Sequence, residues 1–277
     1  MHTGPICSTC GTQFATLPPA HASCPVCADE RQYVGWQGQR WTDLAQLGQT
    51  HRIHAEDDAG LFSLDLSPGF AIGQRMALLP TPGMNLLWES LSLVTDEAVA
   101  ALHQRGGVDA IAISHPHFYA AMLEWSEALD DVPILLHDAD RDWVRRPSAR
   151  IEFWRGDALR LNDELQLLHL PGHFPGSAGV HWRTGPTGGG ALLPGDALQV
   201  VGDRRHVSFM YSYPNLMPLP LPQVRDLRRR LQGLSFDSVY GFNRGRNLLG
   251  GAQAAVDASF ERYLRALDGA AAIEVAA

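Results

Sequence analysis

The chain has 277 residues, 45% of them hydrophobic, enough for one large domain or two modest ones around a buried core. A formal charge of −8 works against nucleic acid as a principal partner, which would need clustered Lys and Arg, and favours a small-molecule substrate. The longest apolar runs, such as Ile134–Leu136 and Ala191–Leu193, fall far short of the roughly 20 residues that cross a bilayer, so no membrane partner is expected.

The chain opens Met-His-Thr-Gly-Pro, without the basic flank and apolar stretch of a secretory leader, and the expected location is cytoplasmic. All four cysteines follow at once, as Cys7-x-x-Cys10 and Cys24-x-x-Cys27 with thirteen residues between the pairs. Each pair can form a tight knuckle, and two knuckles complete a tetrahedral thiolate site that suits zinc. Iron suits the same geometry. Two disulfides are the competing reading, disfavoured by the absence of a leader and of any other cysteine. Residues 1–35 are therefore expected to be a zinc-knuckle segment folded largely by its metal, which docks on the main domain or presents a surface to a protein partner.

From residue 36 to 277 the pattern is that of one further domain. Leu61–Leu66 alternates as a half-buried strand should. Met76–Leu79 and Asn85–Trp88 flank turn residues and predict a hairpin. A helix is expected from Asp96 to about Arg105, capped by Thr95 and stopped by Gly106-Gly107. Strands are expected at 110–113, 134–136, 165–170, 177–182 and 190–193, and helices at 221–231 and 252–267. The arginines between Arg225 and Arg230 fall on the solvated face of the first of these helices. Strands in runs with helices inserted suggest an α+β fold of layered sheets covered by helices.

Four strand-like runs end in a polar, metal-capable residue: His115-Pro-His117, Pro171-Gly-His173, Pro194-Gly-Asp196 and Tyr240-Gly-Phe-Asn243. Loops leaving neighbouring strand ends can bring such residues together although they lie far apart in sequence. Three histidines converging in this way match many catalytic zinc sites. His137, His206, Tyr211 and Tyr213 are weaker candidates for the same cleft, and structural roles are as reasonable for them. Gly176-Ser-Ala-Gly179 does not form a serine-hydrolase elbow, and neither a phosphate loop nor a His-Glu-x-x-His helix is present.

Taken in order over residues 60–265, these segments resemble the metallo-β-lactamase superfamily. Its hallmark is His-x-His-x-Asp-His, then Gly-His, Gly-Asp and a last His. The resemblance implies an αββα sandwich and a metallo-hydrolase with His115, His117, His173 and Asp196 as metal ligands. The chain departs from the family where Tyr119 and Ala120 replace Asp and His, and where Asn243 stands for the final His. In the family those positions mainly serve a second metal, so a reduced, mononuclear site is expected here. Asp196 would be its fourth ligand or water-orienting base and Tyr119 a donor to the oxyanion. The reaction implied is hydrolysis of a small ester, lactone, thioester or amide by a metal-activated water. The alternative is an inactive interaction protein whose only metal is the four-cysteine site.

Overall fold

A computed structural model describes residues 4–19 and 22–269; residues 1–3, on which the expectation of a leaderless start rests, lie outside the described residues. Strand β1 (Ile6–Cys7) pairs antiparallel with β2 (Trp41–Thr42), tying the first knuckle to the chain that enters helix α1 (Leu44–Thr50). Asp43 caps α1 by accepting from the amide of Gln46.

Seven strands then build the first sheet in sequential order: β3 (Arg52–Asp58), β4 (Leu61–Ser67), β5 (Arg75–Thr81), β6 (Met84–Trp88), β7 (Ala110–Ala112), β8 (Ile134–His137) and β9 (Ile151–Trp154). The pairings through β6 are antiparallel hairpins; from β6 to β9 they are parallel, with α2 (Asp96–His103) and α3 (Met122–Ala128) crossing over between strands. Thr95 caps α2 through the amide of Ala98, as its position before Asp96 predicts.

The second sheet has six strands: β10 (Ala158–Arg160), β11 (Leu165–His169), β12 (Ala178–Trp182), β13 (Ala191–Leu193), β16 (Ser238–Tyr240) and β17 (Asn247–Leu249). A small ribbon, β14 (Gln199–Val200) with β15 (Val207–Ser208), and helix α4 (Leu221–Leu231) lie between β13 and β16 in the chain, and α5 (Ala252–Leu267) follows β17.

The period-two alternation of strand side chains divides the core into three layers. Met76 and Leu78 of β5 face outward into one cluster with Ala98 and Leu102 of α2 and Trp125 of α3. Their neighbours Ala77 and Leu79 face inward, meeting Leu167, Val180 and Leu193 of the second sheet. On the far side of that sheet, Leu168, Leu192 and Val239 pack against Leu227 of α4 and Val256 and Phe260 of α5. Helix, sheet, sheet and helix stack in that order, which is the αββα sandwich expected from the sequence. Strands apolar on both faces, such as β7, follow from this double coverage.

Candidate metal centre

The two cysteine pairs close on each other. Gly11 donates its amide to the carbonyl of Cys7, and Ala28 to that of Cys24, each at 2.9 Å, so the two knuckles share one turn geometry. Cys7 and Cys27 sulfurs lie 3.6 Å apart, and those of Cys10 and Cys24 3.8 Å apart. All four are free thiols and at most 3% exposed. Zinc–sulfur bonds of about 2.3 Å in a tetrahedron separate the sulfurs by about 3.8 Å, so the cluster has the dimensions of a four-thiolate site. Gln39 donates to Cys7 Sγ at 3.2 Å. Hydrogen bonds from the neighbouring thiols, Cys10 first, push the Cys7 and Cys24 thiols down, whereas burial pushes Cys10 up.

The second cluster is built by loops leaving β7, β11 and β13. Past β7 the chain enters a single 3-10 turn, Pro116–Phe118, with proline at its first position, where the missing amide hydrogen costs nothing. The turn brings the rings of His115 and His117 to 5.0 Å, centre to centre. The loop after β11 delivers His173, 4.9 Å from His115 and 5.1 Å from His117 by the same measure. Asp196 follows β13 through Gly195, whose φ is +57°. A Cβ on Gly195 would stand 2.6 Å from that of Ser114, so only glycine lets the aspartate loop approach the histidine loop this closely.

Donor atoms of His115, His117, His173 and Asp196 all lie within 4.8 Å of one another. His173 Nε2 is 3.4 Å from His117 Nδ1, and Asp196 Oδ2 is 3.2 Å from His115 Nε2 and 3.7 Å from His173 Nε2. A tetrahedral ion with bonds of about 2.0–2.1 Å separates its donors by about 3.3–3.4 Å. The far nitrogens are engaged elsewhere. His173 Nδ1 donates to the carbonyl of Tyr211 at 2.8 Å, and His115 Nδ1 pairs with Ser114 Oγ at 2.7 Å. His115 Nε2 and both carboxylate oxygens of Asp196 are buried without a hydrogen-bond partner, because the 3.2 Å approach lacks hydrogen-bond geometry. Orphaned polar atoms of this kind cost about 1–3 kcal/mol each, and a cation among them would satisfy all three.

Burial, then His115, pushes His173 down to about 4, and burial likewise holds His117 well below the usual histidine range. Both are therefore neutral at pH 7, as metal ligands must be. Burial alone would raise Asp196, but His115 and His173 outweigh it and hold the carboxyl below its ordinary value. Behind the same loop lies Glu89, at φ +72° just past β6, whose Oε2 accepts from the amide of Ser114 at 3.0 Å. Burial raises Glu89 well above the usual carboxyl range.

The four residues are enclosed, none more than 1% exposed. Phe174 stacks on His115, with ring centres 5.6 Å apart, and Tyr213 meets His117 edge-on at 5.9 Å. Tyr213 in turn stacks on Tyr33 of the N-terminal segment at 6.5 Å, and its amide donates to the carbonyl of Arg31 at 2.7 Å.

Of the residues singled out from sequence, the structure gathers the four cysteines in one place and the three histidines with Asp196 in another. Tyr119 belongs to neither group; it is 2% exposed in the apolar cluster with Ile111, Ile113 and Trp125, and Tyr213 is the phenol set against a candidate ligand. Asn243 also stands apart, donating to the carbonyl of Gly73 at 2.6 Å across the rim. His137 stacks on His169 at 3.8 Å, and His206 pairs with Asp203 at 3.1 Å. Glu89 was not anticipated; an acid at the end of the apolar strand Leu86-Leu-Trp88 was its only sequence signal.

No protein-family model matches the chain. It is 40% identical over 266 residues to YmaE, an uncharacterized protein of Bacillus subtilis (strain 168), covering 95% of this chain and 96% of that one. Among solved structures, the TMB-1 protein superposes with a TM-score of 0.54 at 11% identity over 79% of this chain and 98% of its own. The DIM-1 metallo-β-lactamase, exposed to ceftazidime, gives 0.53 at 12% over 80% and 98%. SMB-1, a metallo-β-lactamase in complex with mercaptoacetic acid, gives 0.51 at 16% over 77% and 95%. At these identities the structural likeness concerns the fold. Among the described residues no helix is long and apolar enough to cross a membrane.

Proposed function

We propose that this chain, which belongs to one family with YmaE and has the metallo-β-lactamase fold, is a metal-dependent hydrolase of the metallo-β-lactamase superfamily with one catalytic ion. The observation that carries the reading is the convergence of His115, His117, His173 and Asp196, with three buried polar atoms that have no partner within the protein. Such an ion, when bound, lowers the pKa of a water and polarises the scissile oxygen of the substrate. His115 Nε2, His117 Nδ1 and His173 Nε2 would hold it. Ser114 and the Tyr211 carbonyl fix which nitrogen of His115 and of His173 is presented. Asp196, kept ionised by two histidines, serves as fourth ligand or accepts the proton of the attacking water. Tyr213 takes the part that the sequence suggested for Tyr119, donating its phenol to the developing oxyanion.

The substrate class we assign is a small ester, lactone, thioester or amide. With Tyr119, Ala120 and Asn243 outside the cluster, two-ion phosphodiester chemistry lacks its ligands. The cysteine cluster is assigned a structural zinc, with iron as the other metal its thiolates suit. Four free thiols close enough to share one ion suit a reducing compartment, and we place the protein in the cytoplasm.

One observation favours a second reading: ligands no more than 1% exposed leave little room for a substrate in this conformation, as in a protein whose centre only stabilises the fold. Metal analysis of the wild type beside His173→Ala, with turnover of an ester, lactone and thioester series, separates the two. A hydrolase carries two ions per chain and loses one ion and all turnover in the variant. Two ions with no turnover of any substrate, and no perturbation of the cobalt spectrum by mercaptoacetic acid, would leave the second reading standing.

A further inference from the structure

The N-terminal segment reaches the histidine loops at their backbones. Thr12, two residues past Cys10, accepts at its carbonyl from the amide of Cys7 at 3.0 Å, and its hydroxyl donates to the carbonyl of Pro116 at 3.1 Å. Pro116 is the residue between His115 and His117. The knuckle backbone is therefore tied through one side chain to the loop bearing two candidate ligands. Arg31, four residues past Cys27, donates through Nη1 to the carbonyl of His173 at 3.2 Å. Its other nitrogens are fixed on Asp29 at 2.6 and 3.0 Å, and its guanidinium lies 4.9 Å from the ring centre of Phe174.

The third histidine is tied as well. Gln74 Nε2 donates to the carbonyl of His117 at 2.9 Å, and a Cβ on Gly11 would stand 2.5 Å from that same nitrogen. The knuckle glycine thus lies directly against the amide that holds His117. Phe174 belongs to the apolar cluster of the four cysteines while stacking on His115. Its ring forms a wall common to both clusters.

We propose that Thr12 and Arg31 are positioning residues of the histidine centre, so that the metal state of the four-cysteine cluster sets how tightly that centre holds its ion. The inference rests on the reading of His115, His117, His173 and Asp196 as a metal site. Its physical basis is that ligand orientation is set by the hydrogen bonds behind the ligands, and losing one such partner typically weakens metal affinity about 10- to 100-fold. Here those partners come from a segment whose own fold depends on its thiolate metal. Loss of that metal frees Thr12 and Arg31 together and loosens both histidine loops.

The test measures metal affinity, not turnover. Full-length wild type, Thr12→Val, Thr12→Ser and Arg31→Met are loaded with Co²⁺ and titrated with a chelator. Sulfur-to-metal charge-transfer bands report the cysteine cluster, and visible ligand-field bands report the histidine centre. The expected result is that Thr12→Val and Arg31→Met keep the charge-transfer bands, shift the ligand-field bands and release the second ion about 10- to 100-fold more readily. Thr12→Ser, which keeps the hydroxyl, restores wild-type behaviour. Release within threefold of wild type in both Thr12→Val and Arg31→Met would overturn the proposal alone. A wild type holding a single ion would overturn the metal-site reading and this inference with it.

Discussion

Thr12, in the first knuckle, donates its hydroxyl to the carbonyl of Pro116, 104 positions later in the chain, at 3.1 Å. A segment that looks from sequence like an appendage is thereby built into the wall of the histidine centre. The three main apolar clusters of the sandwich nevertheless contain none of the cysteines. Fold and centre should therefore respond differently to damage in the knuckle.

Replacing Cys24 with Ser tests that separation. The variant should lose the thiolate-bound ion, since three sulfurs and a hydroxyl make a much poorer tetrahedral site. Far-ultraviolet circular dichroism should still show a folded sandwich, while proteolysis should cut residues 4–40 faster than in the wild type. A variant that retains its full metal content would sink the four-thiolate assignment.

The resemblance read from the sequence puts Asn243 in the place of a last metal-binding histidine; its amide nitrogen donates to Gly73 O at 2.6 Å. Asn243→Ala should leave metal content unchanged. Loss of one hydrogen bond across the rim should cost about 0.5–1.5 kcal/mol in denaturant unfolding. Loss of the main-domain ion in this variant would contradict the assignment of Asn243 to the rim.

On the hydrolase reading two tyrosines are candidates for the oxyanion donor, and their surroundings favour one of them. Tyr213 touches His117, and burial followed by Asp196 raises its phenol, which keeps it protonated and able to donate at pH 7. Tyr119 lies in the apolar cluster. Tyr213→Phe should lower kcat about a hundredfold with the metal retained, whereas Tyr119→Phe should leave kcat within a few-fold. The reverse pattern in steady-state kinetics would return the role to Tyr119.

What the sequence made legible follows from periodicity and from turn chemistry. Helices α4 and α5 begin and end where their patterns predict, and the turn residues Pro80 to Gly83 mark the β5–β6 hairpin. The metal-capable residues were readable because each lies just beyond a short apolar strand. Strand β3 was not, since Arg-Ile-His-Ala-Glu-Asp-Asp carries a single large apolar side chain, Ile53, and takes its extended conformation mainly from pairing with β4. Helix α3 was missed because its buried residues run consecutively from Met122 to Ser126, without the stripe of a surface helix. Thr12 and Arg31 act on main-chain carbonyls of distant loops, and such contacts impose no local spacing on the sequence.

Asp140 gives the protein a readable pH dependence. It is fully buried, one oxygen accepts from the amide of Gly176 at 2.7 Å, and the other has no partner. Burial, opposed by that bond and by Arg31, raises its pKa to about 7. The unfolded value is about 3.9. Between these two values the folded state binds the extra proton, so stability falls as pH rises from about 4 to about 7, and the loss is complete above that. Asp140→Asn removes the cost of burying the charge. Its melting temperature should exceed that of the wild type at pH 8, with the difference closing toward pH 4.5. An equal shift at both pH values would refute the raised pKa.

The last prediction concerns the number of ions in the main domain. Among the described residues, two groups of His, Cys, Asp and Glu have donor atoms close enough to share a metal, the four cysteines and His115, His117, His173 with Asp196. A second ion beside the first would have Asp196 and solvent but no second imidazole, because Tyr119 and Ala120 are side chains of the apolar interior and Asn243, a neutral amide fixed through its nitrogen on Gly73, is a poor ligand. Too few ligands then remain for a transition metal. Zinc-replete wild type should therefore carry two ions per chain in all, one of them thiolate-bound. His173→Ala should carry only the thiolate-bound ion and no hydrolytic activity. Asp196→Asn should keep both ions, hold the second about ten- to a hundredfold more weakly, and turn over far more slowly, because its amide cannot accept a proton from water. Three ions per chain in the wild type, or full activity in Asp196→Asn, would exclude the single-ion centre.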